Sequence, residues 1–414
     1  MKCSEQYRVT VNDIAFGGDG VARTDEGAVI FIPGACPEDE LLVTITETRK
    51  NFARGEIAAI LKPGRGRCAP QCRLYGQCAG CQYQHMDYAV EQEVKQQQLR
   101  TLLTRIGGFT QLPETAPAVA SPQHYGYRNK LRLEPAFMEL PGVEGKRLVY
   151  GYYGPDNRSL LRVTSCPLAR EDLNSAIPEA ARSDWGKANA RKRGRDGRPG
   201  TLTLRITTGG EVAYYFGYAP RRVSWLKEQL AGREYSVPLG SFWQVNPPVA
   251  SELIRTVVGW IAERPAETFI DAYAGVGTFT CAMQNPFRER LLIENDREAA
   301  KAAQFNVVGR CGLGCQIIAD TTEKALPGLL RKCTPEATAV LLDPPRSGCC
   351  REVIEALRLH HPGTVVYVSC NPSTLARDLR ALCADGSYRM AHLGFFDMFP
   401  RTAHFESAVM LTGR

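Results

Sequence analysis

From about residue 250 onward the chain alternates short, wholly apolar runs with intervals long enough for a helix. The runs are Thr268-Phe269-Ile270-Asp271, Leu291-Leu292-Ile293-Glu294, Ala339-Val340-Leu341-Leu342-Asp343 and Thr364-Val365-Val366-Tyr367-Val368-Ser369. Residues 253–261 have helical spacing. Strands apolar on both faces must be covered on both sides, which selects an α/β architecture with a doubly wound parallel sheet. Ligands of such sheets bind beyond the carboxyl ends of the strands. Asp271, Glu294, Asp343 and Cys370 are therefore predicted to be neighbours despite their separation in sequence.

The first sixty or so residues have a different rhythm. Val9-Thr10-Val11, Val29-Ile30-Phe31-Ile32, Leu41-Leu42-Val43-Thr44-Ile45 and Glu56-Ile57-Ala58-Ala59-Ile60 read as short strands, with Gly17-Gly18-Asp19-Gly20 and Pro33-Gly34 as turns. That pattern predicts a small β-barrel, and it resembles the TRAM domain, an OB-like RNA-binding barrel of RNA-modifying enzymes. Lys62-Pro63-Gly64-Arg65-Gly66-Arg67 reads as a linker. A polar helix is expected around Tyr88–Arg105, and Thr201-Leu202-Thr203-Leu204-Arg205-Ile206 alternates as a half-buried strand does. The expected organisation is a barrel over 1–62, a mixed α+β central domain over 63–240 and the Rossmann-like domain over 241–414. No apolar run reaches the roughly 20 residues of a membrane helix, and the start has no signal-peptide core. A soluble, cytoplasmic protein with no membrane partner is expected.

Net charge is +7 over 414 residues, so local density matters more. Arg191-Lys192-Arg193-Gly194-Arg195, with Arg198, is either a solvated loop or a phosphate-contacting segment.

Ile270-Asp271-Ala272-Tyr273-Ala274-Gly275-Val276-Gly277-Thr278 reads as a strand, a glycine turn and a helix start, where backbone can approach a ligand closely. No phosphate-cradling G-x-x-x-x-G-K is present, and the third glycine of a dinucleotide fingerprint is replaced by Thr280. Glu294 ends the next strand, where it can accept from ribose hydroxyls. The arrangement resembles class I S-adenosylmethionine-dependent methyltransferases. That resemblance implies that Tyr273, Gly275 and Thr278 line the cofactor and that Asp320 lies near its adenine, although Asp320 could equally be a helix cap.

Val368-Ser369-Cys370-Asn371-Pro372-Ser373-Thr374-Leu375-Ala376-Arg377-Asp378 is the most informative segment. It resembles the catalytic motif of the RNA 5-methyluridine methyltransferases. So do Leu342-Asp343-Pro344-Pro345-Arg346-Ser347-Gly348, Ser241-Phe242-Trp243-Gln244-Val245-Asn246 and Phe399-Pro400-Arg401-Thr402-Ala403-His404-Phe405-Glu406-Ser407. The chemistry explains the residue types. Carbon 5 of uracil is a poor nucleophile until a soft nucleophile adds to carbon 6, and a thiolate can add and later leave. A carboxylate can then remove the hydrogen left on carbon 5. The resemblance assigns these roles to Cys370 and Glu406, with Gln244 contacting the cofactor and Asp343 in the same pocket. Ala274 and Thr278 depart from residues common in the family. The target base must be unpaired or flipped out. Phe242 and Tyr273 are candidate stacking surfaces or core residues, and Tyr127-Arg128-Asn129-Lys130-Leu131-Arg132 matches a further family string whose basic side chains could grip phosphates.

Fifteen cysteines is a high count, and Cys68, Cys72, Cys78 and Cys81 fall within fourteen residues. Their spacing could hold zinc. The family resemblance instead implies a 4Fe–4S cluster on Cys72, Cys78, Cys81 and Cys166, which precedes Pro167, with Cys68 left over as a competing ligand. A radical methylthiotransferase is excluded, because its C-x3-C-x2-C would need a cysteine where Tyr75 stands. The expected activity is carbon-5 methylation of a uridine, with 23S ribosomal RNA the favoured substrate and transfer RNA the alternative. An inactive RNA-binding factor is the reading from another class.

Overall fold

The computed structural model describes residues 1–191, 200–219, 225–311 and 314–413. They form two compact units, each built from separated stretches of chain.

Unit 1 comprises Met1–Thr101, Gly151–Pro167 and Phe399–Phe405. Five strands close into a barrel: β1 (Gln6–Ile14), β2 (Gly20–Arg23), β3 (Val29–Ile32), β4 (Glu40–Thr48) and β5 (Phe52–Lys62), in the order β1-β2-β3-β5-β4. Alternate residues point inward, so Val9, Val11, Ile30, Ile32, Leu41, Val43 and Ile45 fill the interior. The sequence reading put Gly20 in a turn, but it opens β2. A side chain there would have its Cβ 2.5 Å from that of Ala35, so glycine lets β2 meet the connection between β3 and β4. The expected linker is part of the barrel's packing. The Gly64 N–H donates to Asp39 Oδ1 at 2.8 Å, and Arg67 Nε donates to the same oxygen at 2.9 Å. Burial alone would raise the Asp39 carboxyl; Arg67 and the N–H groups of Gly64 and Cys36 outweigh it and hold it low.

The helix expected from the polar run is α1 (Tyr88–Arg105). Within unit 1 it buries Glu91 and Lys95 as an ion pair at 2.6 Å, and the Glu91 carboxylate also accepts from the Arg401 backbone N–H at 2.7 Å. This anchors the stretch of chain immediately before Glu406.

Unit 2 comprises Leu102–Tyr150, Leu168–Met398 and Glu406–Arg414. Strands β6 (Lys130–Leu140) and β7 (Val143–Tyr153) are neighbours in a sheet, and residues 151–153 of β7 pair with β8 (Leu160–Arg162) within unit 1. Helices α2 (Glu171–Arg182) and α3 (Asp184–Arg191) follow, then β9 (Leu202–Ile206) and β10 (Val212–Phe216). Strand β9 lies between β10 and β6, antiparallel to both. Its alternation predicted one wet face, yet all five residues are buried. The polar Arg205 is accommodated by Glu228, which accepts from its guanidinium at 2.9 Å and from the Thr208 N–H at 2.9 Å. Glu228→Ala would leave that guanidinium buried and unpaired. Loss of roughly 3–5 kcal/mol in a chemical denaturation curve is expected.

Glu228 belongs to β11 (Leu226–Leu230), which pairs with β12 (Arg233–Val237) across Ala231 and Gly232, both at positive φ. The basic stretch ends outside what is described: Arg191 closes α3 with its guanidinium 5.4 Å from the Phe137 ring centroid, and residues 192–198 lie outside the described residues.

The apolar runs become the predicted sheet. Helix α4 (Pro247–Ala262) leads into β13 (Thr268–Asp271), α5 (Thr278–Ala282), β14 (Glu289–Ile293), α6 (Arg297–Cys311), β15 (Cys315–Ile318) and α7 (Thr322–Leu330). Then come β16 (Thr338–Leu342), α8 (Arg351–His360), β17 (Thr364–Ser369), α9 (Pro372–Leu382), β18 (Tyr388–Phe396) and β19 (Glu406–Gly413). Strand order is β15-β14-β13-β16-β17-β19-β18. The first five strands in that order run parallel, while β19 inserts antiparallel between β17 and β18. That insertion was not foreseen, because an antiparallel pair within a buried sheet is as apolar as its parallel neighbours. Among the described residues, no helix is long and apolar enough to cross a membrane.

Candidate active site

The strand order reverses beside β13, which opens a crevice at the carboxyl ends of β13, β14 and β16. Asp271 ends β13, Glu294 follows β14, Asp343 follows β16 and Cys370 follows β17, so all four expected neighbours stand along one sheet edge. Gly275 has φ +55, and a Cβ there would meet nothing within 4 Å, which leaves open space above the turn. Gly277 is the tighter constraint: its φ is +82, and a Cβ would lie 2.7 Å from Val307 on α6. Glu294 accepts from the N–H groups of Gly275 at 2.8 Å and Asp296 at 2.7 Å, one on each carboxylate oxygen. Each oxygen keeps a further lone pair.

Thr278 opens α5, which is only one turn long, and its carbonyl accepts from the Tyr235 hydroxyl at 3.1 Å. Tyr273 is partly buried, its hydroxyl 3.9 Å from the Cys349 sulfur, and burial raises its pKa. Asp320 is exposed, and its carboxylate accepts from the Thr321 N–H at 2.8 Å; Thr321 rather than Asp320 is the N-cap residue of α7. In the Ser241–Asn246 string, Trp243 is buried while Phe242 is 69% exposed, a free aromatic face. The Gln244 carbonyl accepts from the Asn129 amide at 2.9 Å, tying this string to the Tyr127–Arg132 string.

The segment around Cys370 is held from both ends. Asn371 caps α9, accepting from the Ser373 N–H at 3.1 Å, and Pro372 supplies a first helical residue that needs no N–H partner. The Asn371 amide donates to the Arg346 carbonyl at 3.0 Å, and Thr374 Oγ1 donates to the same carbonyl at 3.3 Å. Asp378 accepts from the Cys349 N–H at 2.9 Å and the Tyr367 hydroxyl at 2.7 Å. The loop after Asp343 is thereby stitched to the helix after Cys370.

Register brings Cys370 and Glu406 together. Ser369 pairs with Ser407 across antiparallel β17 and β19, so the next residues outward on the two strands are Cys370 and Glu406. Burial pushes the Cys370 thiol up to about 12, with the negative charges of Glu406 and Asp343 adding to it and Arg346 opposing. Burial likewise raises Glu406 well above the carboxylate range, Asp343 adding and Arg346 opposing. The Asp343 and Asp271 carboxyls are both pushed to about 7, chiefly by burial; Asp271 adds to the shift at Asp343, and Thr280, donating to Asp271 at 2.7 Å, restrains that of Asp271. Among the described residues, Arg346 is the cation that opposes the shifts of both Cys370 and Glu406. The sequence reading quoted it without giving it a role, and its place after Asp343-Pro344-Pro345 was the available signal.

The four expected metal ligands lie in unit 1, partly exposed. Residues 72–78 form consecutive turns, with the Tyr75 N–H donating to the Cys72 carbonyl at 3.1 Å and the Cys78 N–H to the Leu74 carbonyl at 2.8 Å. The Cys78 sulfur accepts from the Gly80 N–H at 3.4 Å. Cys68 instead turns to the Gln84 carbonyl, 3.6 Å from its sulfur. Among the described residues, no three Cys, His, Asp or Glu side chains converge as a metal site.

Comparison with known proteins adds a family to this geometry. The model of the tRNA (Uracil-5-)-methyltransferase family matches residues 330–414, which carry Asp343, Cys370 and Glu406. An uncharacterized RNA methyltransferase of Synechocystis is 32% identical, with 97% of this chain and 95% of that protein covered. The chain belongs to the RNA (uracil-5-)-methyltransferase family. The TRAM-domain model matches residues 4–58 of this methyltransferase, the stretch that folds into the barrel. A 23S rRNA (uracil(1939)-C(5))-methyltransferase of Yersinia enterocolitica is 29% identical over 97% of this methyltransferase and 94% of the relative. In fold, it is similar to the crystal structure of Pyrococcus abyssi tRNA (uracil-54, C5)-methyltransferase in complex with S-adenosyl-L-homocysteine. The TM-score is 0.68 at 23% identity, covering 98% of this chain and all of that one.

Proposed function

We propose that this methyltransferase places a methyl group on carbon 5 of a uridine in 23S ribosomal RNA, with Cys370 as nucleophile and Glu406 as base. The observation that carries the reading is the register of β17 and β19, which sets a thiol and a carboxyl side by side in one buried acidic pocket. S-adenosylmethionine supplies the methyl group as a sulfonium electrophile. Gly275, Tyr273, Thr278, Glu294, Gln244, Asp343 and Asp320 are the residues proposed to receive it. Two features favour that fit: the open space above Gly275 and the Asp271 Oδ1, buried and without a hydrogen-bond partner among the described residues.

The Cys370 thiol gives its proton to solvent, the sulfur bonds to carbon 6 of the uracil, and the double-bond electrons move to give an enolate over carbons 5 and 4. Carbon 5 then bonds to the methyl carbon, the methyl C–S bond breaks, and its electron pair stays with the sulfonium sulfur, which leaves as a neutral thioether. The Glu406 carboxylate removes the remaining hydrogen from carbon 5, the double bond re-forms and the Cys370 sulfur leaves. Burial pushes the Cys370 thiol up to about 12 and raises the Glu406 carboxyl well above its ordinary value, so ionisation of each is disfavoured, and each acts in its ionised form. The sign follows: the single-turnover rate should climb with pH between 6 and 9, approaching about tenfold per unit where one proton must be lost. A flat profile in stopped-time assays would contradict this.

We also propose that Cys72, Cys78, Cys81 and Cys166 hold a 4Fe–4S cluster, zinc being the alternative. The support is a set of four thiols in one compact unit, three of them on a tightly turned loop. Methyl transfer needs no electron, so no step is routed through the cluster. Protein purified without oxygen should be brown and contain iron and sulfide in equal amounts; Cys72→Ser should lose the iron and Cys68→Ser keep it. Zinc without iron would overturn the assignment.

The chain is proposed to act in the cytoplasm, where its RNA substrate is found. The deciding experiment is transfer of labelled methyl to unmodified ribosomal and transfer RNA fractions, digested to nucleosides. Label in 5-methyluridine of ribosomal RNA is expected. Label in transfer RNA alone would move the substrate to the class of the Pyrococcus enzyme, and no label in either would leave an RNA-binding factor.

A further inference from the structure

Residues 345–348 form a tight turn soon after Asp343, with the Gly348 N–H donating to the Pro345 carbonyl at 2.8 Å. A cavity of about 550 Å³ lies against residues 347–350, so that side of the turn is backed by open space rather than by packed side chains. What holds the turn is polar and comes from α9. Asp378, only 3% exposed, accepts from the Cys349 N–H at 2.9 Å and, on its other oxygen, from Arg377 Nε at 2.8 Å. Arg377 reaches on to the Ser347 carbonyl at 2.9 Å and the Cys349 carbonyl at 3.4 Å. Gly348 shows how close the fit is: its φ is +77, and a Cβ there would lie 2.5 Å from Asp378 Oδ2 and 2.6 Å from Arg377 Nη2.

A buried carboxylate is costly unless donors surround it. This one holds residues 347–349 and also accepts from the Tyr367 hydroxyl at 2.7 Å, which ties it to the strand leading into Cys370. The two segments that flank the reacting thiol therefore share one anchor. Arg346 sits in the turn so held, its carbonyl accepting at 3.0 Å from Asn371, the residue after Cys370. Its guanidinium opposes the upward shifts of Cys370 and Glu406. A cation on an exposed side chain acts on a reacting group only as steadily as its backbone is held. We propose that the Asp378–Arg377 pair positions Arg346, locking its turn on α9 so that the guanidinium stays beside the reacting thiol and carboxyl. Asp378 and Arg377 are positioning residues, acting through Arg346 rather than on the substrate. The inference rests on the proposed roles of Cys370 and Glu406.

The test uses full-length variants in single turnover at saturating RNA and S-adenosylmethionine: Asp378→Asn, Arg377→Gln, Arg346→Gln, and each of the first two combined with the third. Asp378→Asn keeps the shape but sets an amide N–H against a donor. The Arg377 side chain is 53% exposed, so Arg377→Gln should fold even if Asp378→Asn does not. Each single variant should lower the rate by about tenfold to a hundredfold, with affinity for S-adenosylmethionine unchanged. Each double should be no slower than Arg346→Gln alone, because nothing is left to position. Losses that multiply in the doubles would mark a merely structural pair and overturn the proposal. Unchanged rates in Arg377→Gln or in Arg346→Gln would do the same. So would lost affinity for S-adenosylmethionine in place of lost rate, which would tie the pair to the cofactor through Cys349 and Tyr273. A wild-type enzyme that methylates no RNA, or turnover retained in Cys370→Ala, would instead sink the underlying reading.

Discussion

Cys370→Ala should abolish methyl transfer while leaving cofactor binding and the fold intact. The thiol is the one group at the end of β17 able to add to carbon 6, and without that addition carbon 5 stays too poor a nucleophile to take a methyl group. The expected loss is on the order of 10⁴-fold or more, about 5.5 kcal/mol of barrier at 1.36 kcal/mol per tenfold. The fold should survive because Asn371, Pro372, Thr374 and Asp378 fix the turn without using the sulfur. Calorimetry with S-adenosylmethionine and single-turnover assays on RNA separate the two effects. Turnover retained in the alanine variant would remove Cys370 from the mechanism.

Glu406→Gln should trap the reaction half-way. Burial, with Asp343 adding, raises the native carboxyl well above the carboxylate range, which favours its neutral form. Glutamine has nearly the same shape and no charge, so the resting pocket should tolerate it. It cannot become a carboxylate, so the hydrogen on carbon 5 stays and the sulfur cannot leave. The covalent protein–RNA species should therefore accumulate and survive denaturing electrophoresis, with turnover down by about 10²–10⁴-fold, the range for a lost general base. Normal turnover with no adduct would show that another group takes the proton. The two variants are complementary: the alanine at 370 should form no adduct, and the glutamine at 406 should retain one.

Much of this protein was legible before any coordinates. The barrel strands, the polar helix from Tyr88 and the buried strands of the sheet all follow from apolar periodicity, which reports what each residue must face. Errors came where periodicity is silent. Gly20 looked like a turn because glycine permits one, while its actual constraint is the close approach of Ala35, in the connection between β3 and β4. Residues 62–67 looked like a linker by composition, but a buried Asp39 captures them. The alternating β9 looked half-wet, but a distant glutamate neutralises its arginine.

The sequence by itself determined the chemical inventory: which strands are buried, where the glycines permit close approach, and which thiol and carboxyl stand in family-like strings. Local propensity and composition suffice for that, since they act within a few residues. Only the tertiary structure decided that β19 runs antiparallel beside β17, so that Glu406, thirty-six residues downstream, becomes the cross-strand neighbour of Cys370. Only it revealed Arg346 as the opposing cation and set Asp378 against the turn that carries it. The reason is physical. Strand order and register are settled by long-range packing against the whole sheet, and burial, which sets the protonation of every acid in the pocket, does not exist until that packing is complete.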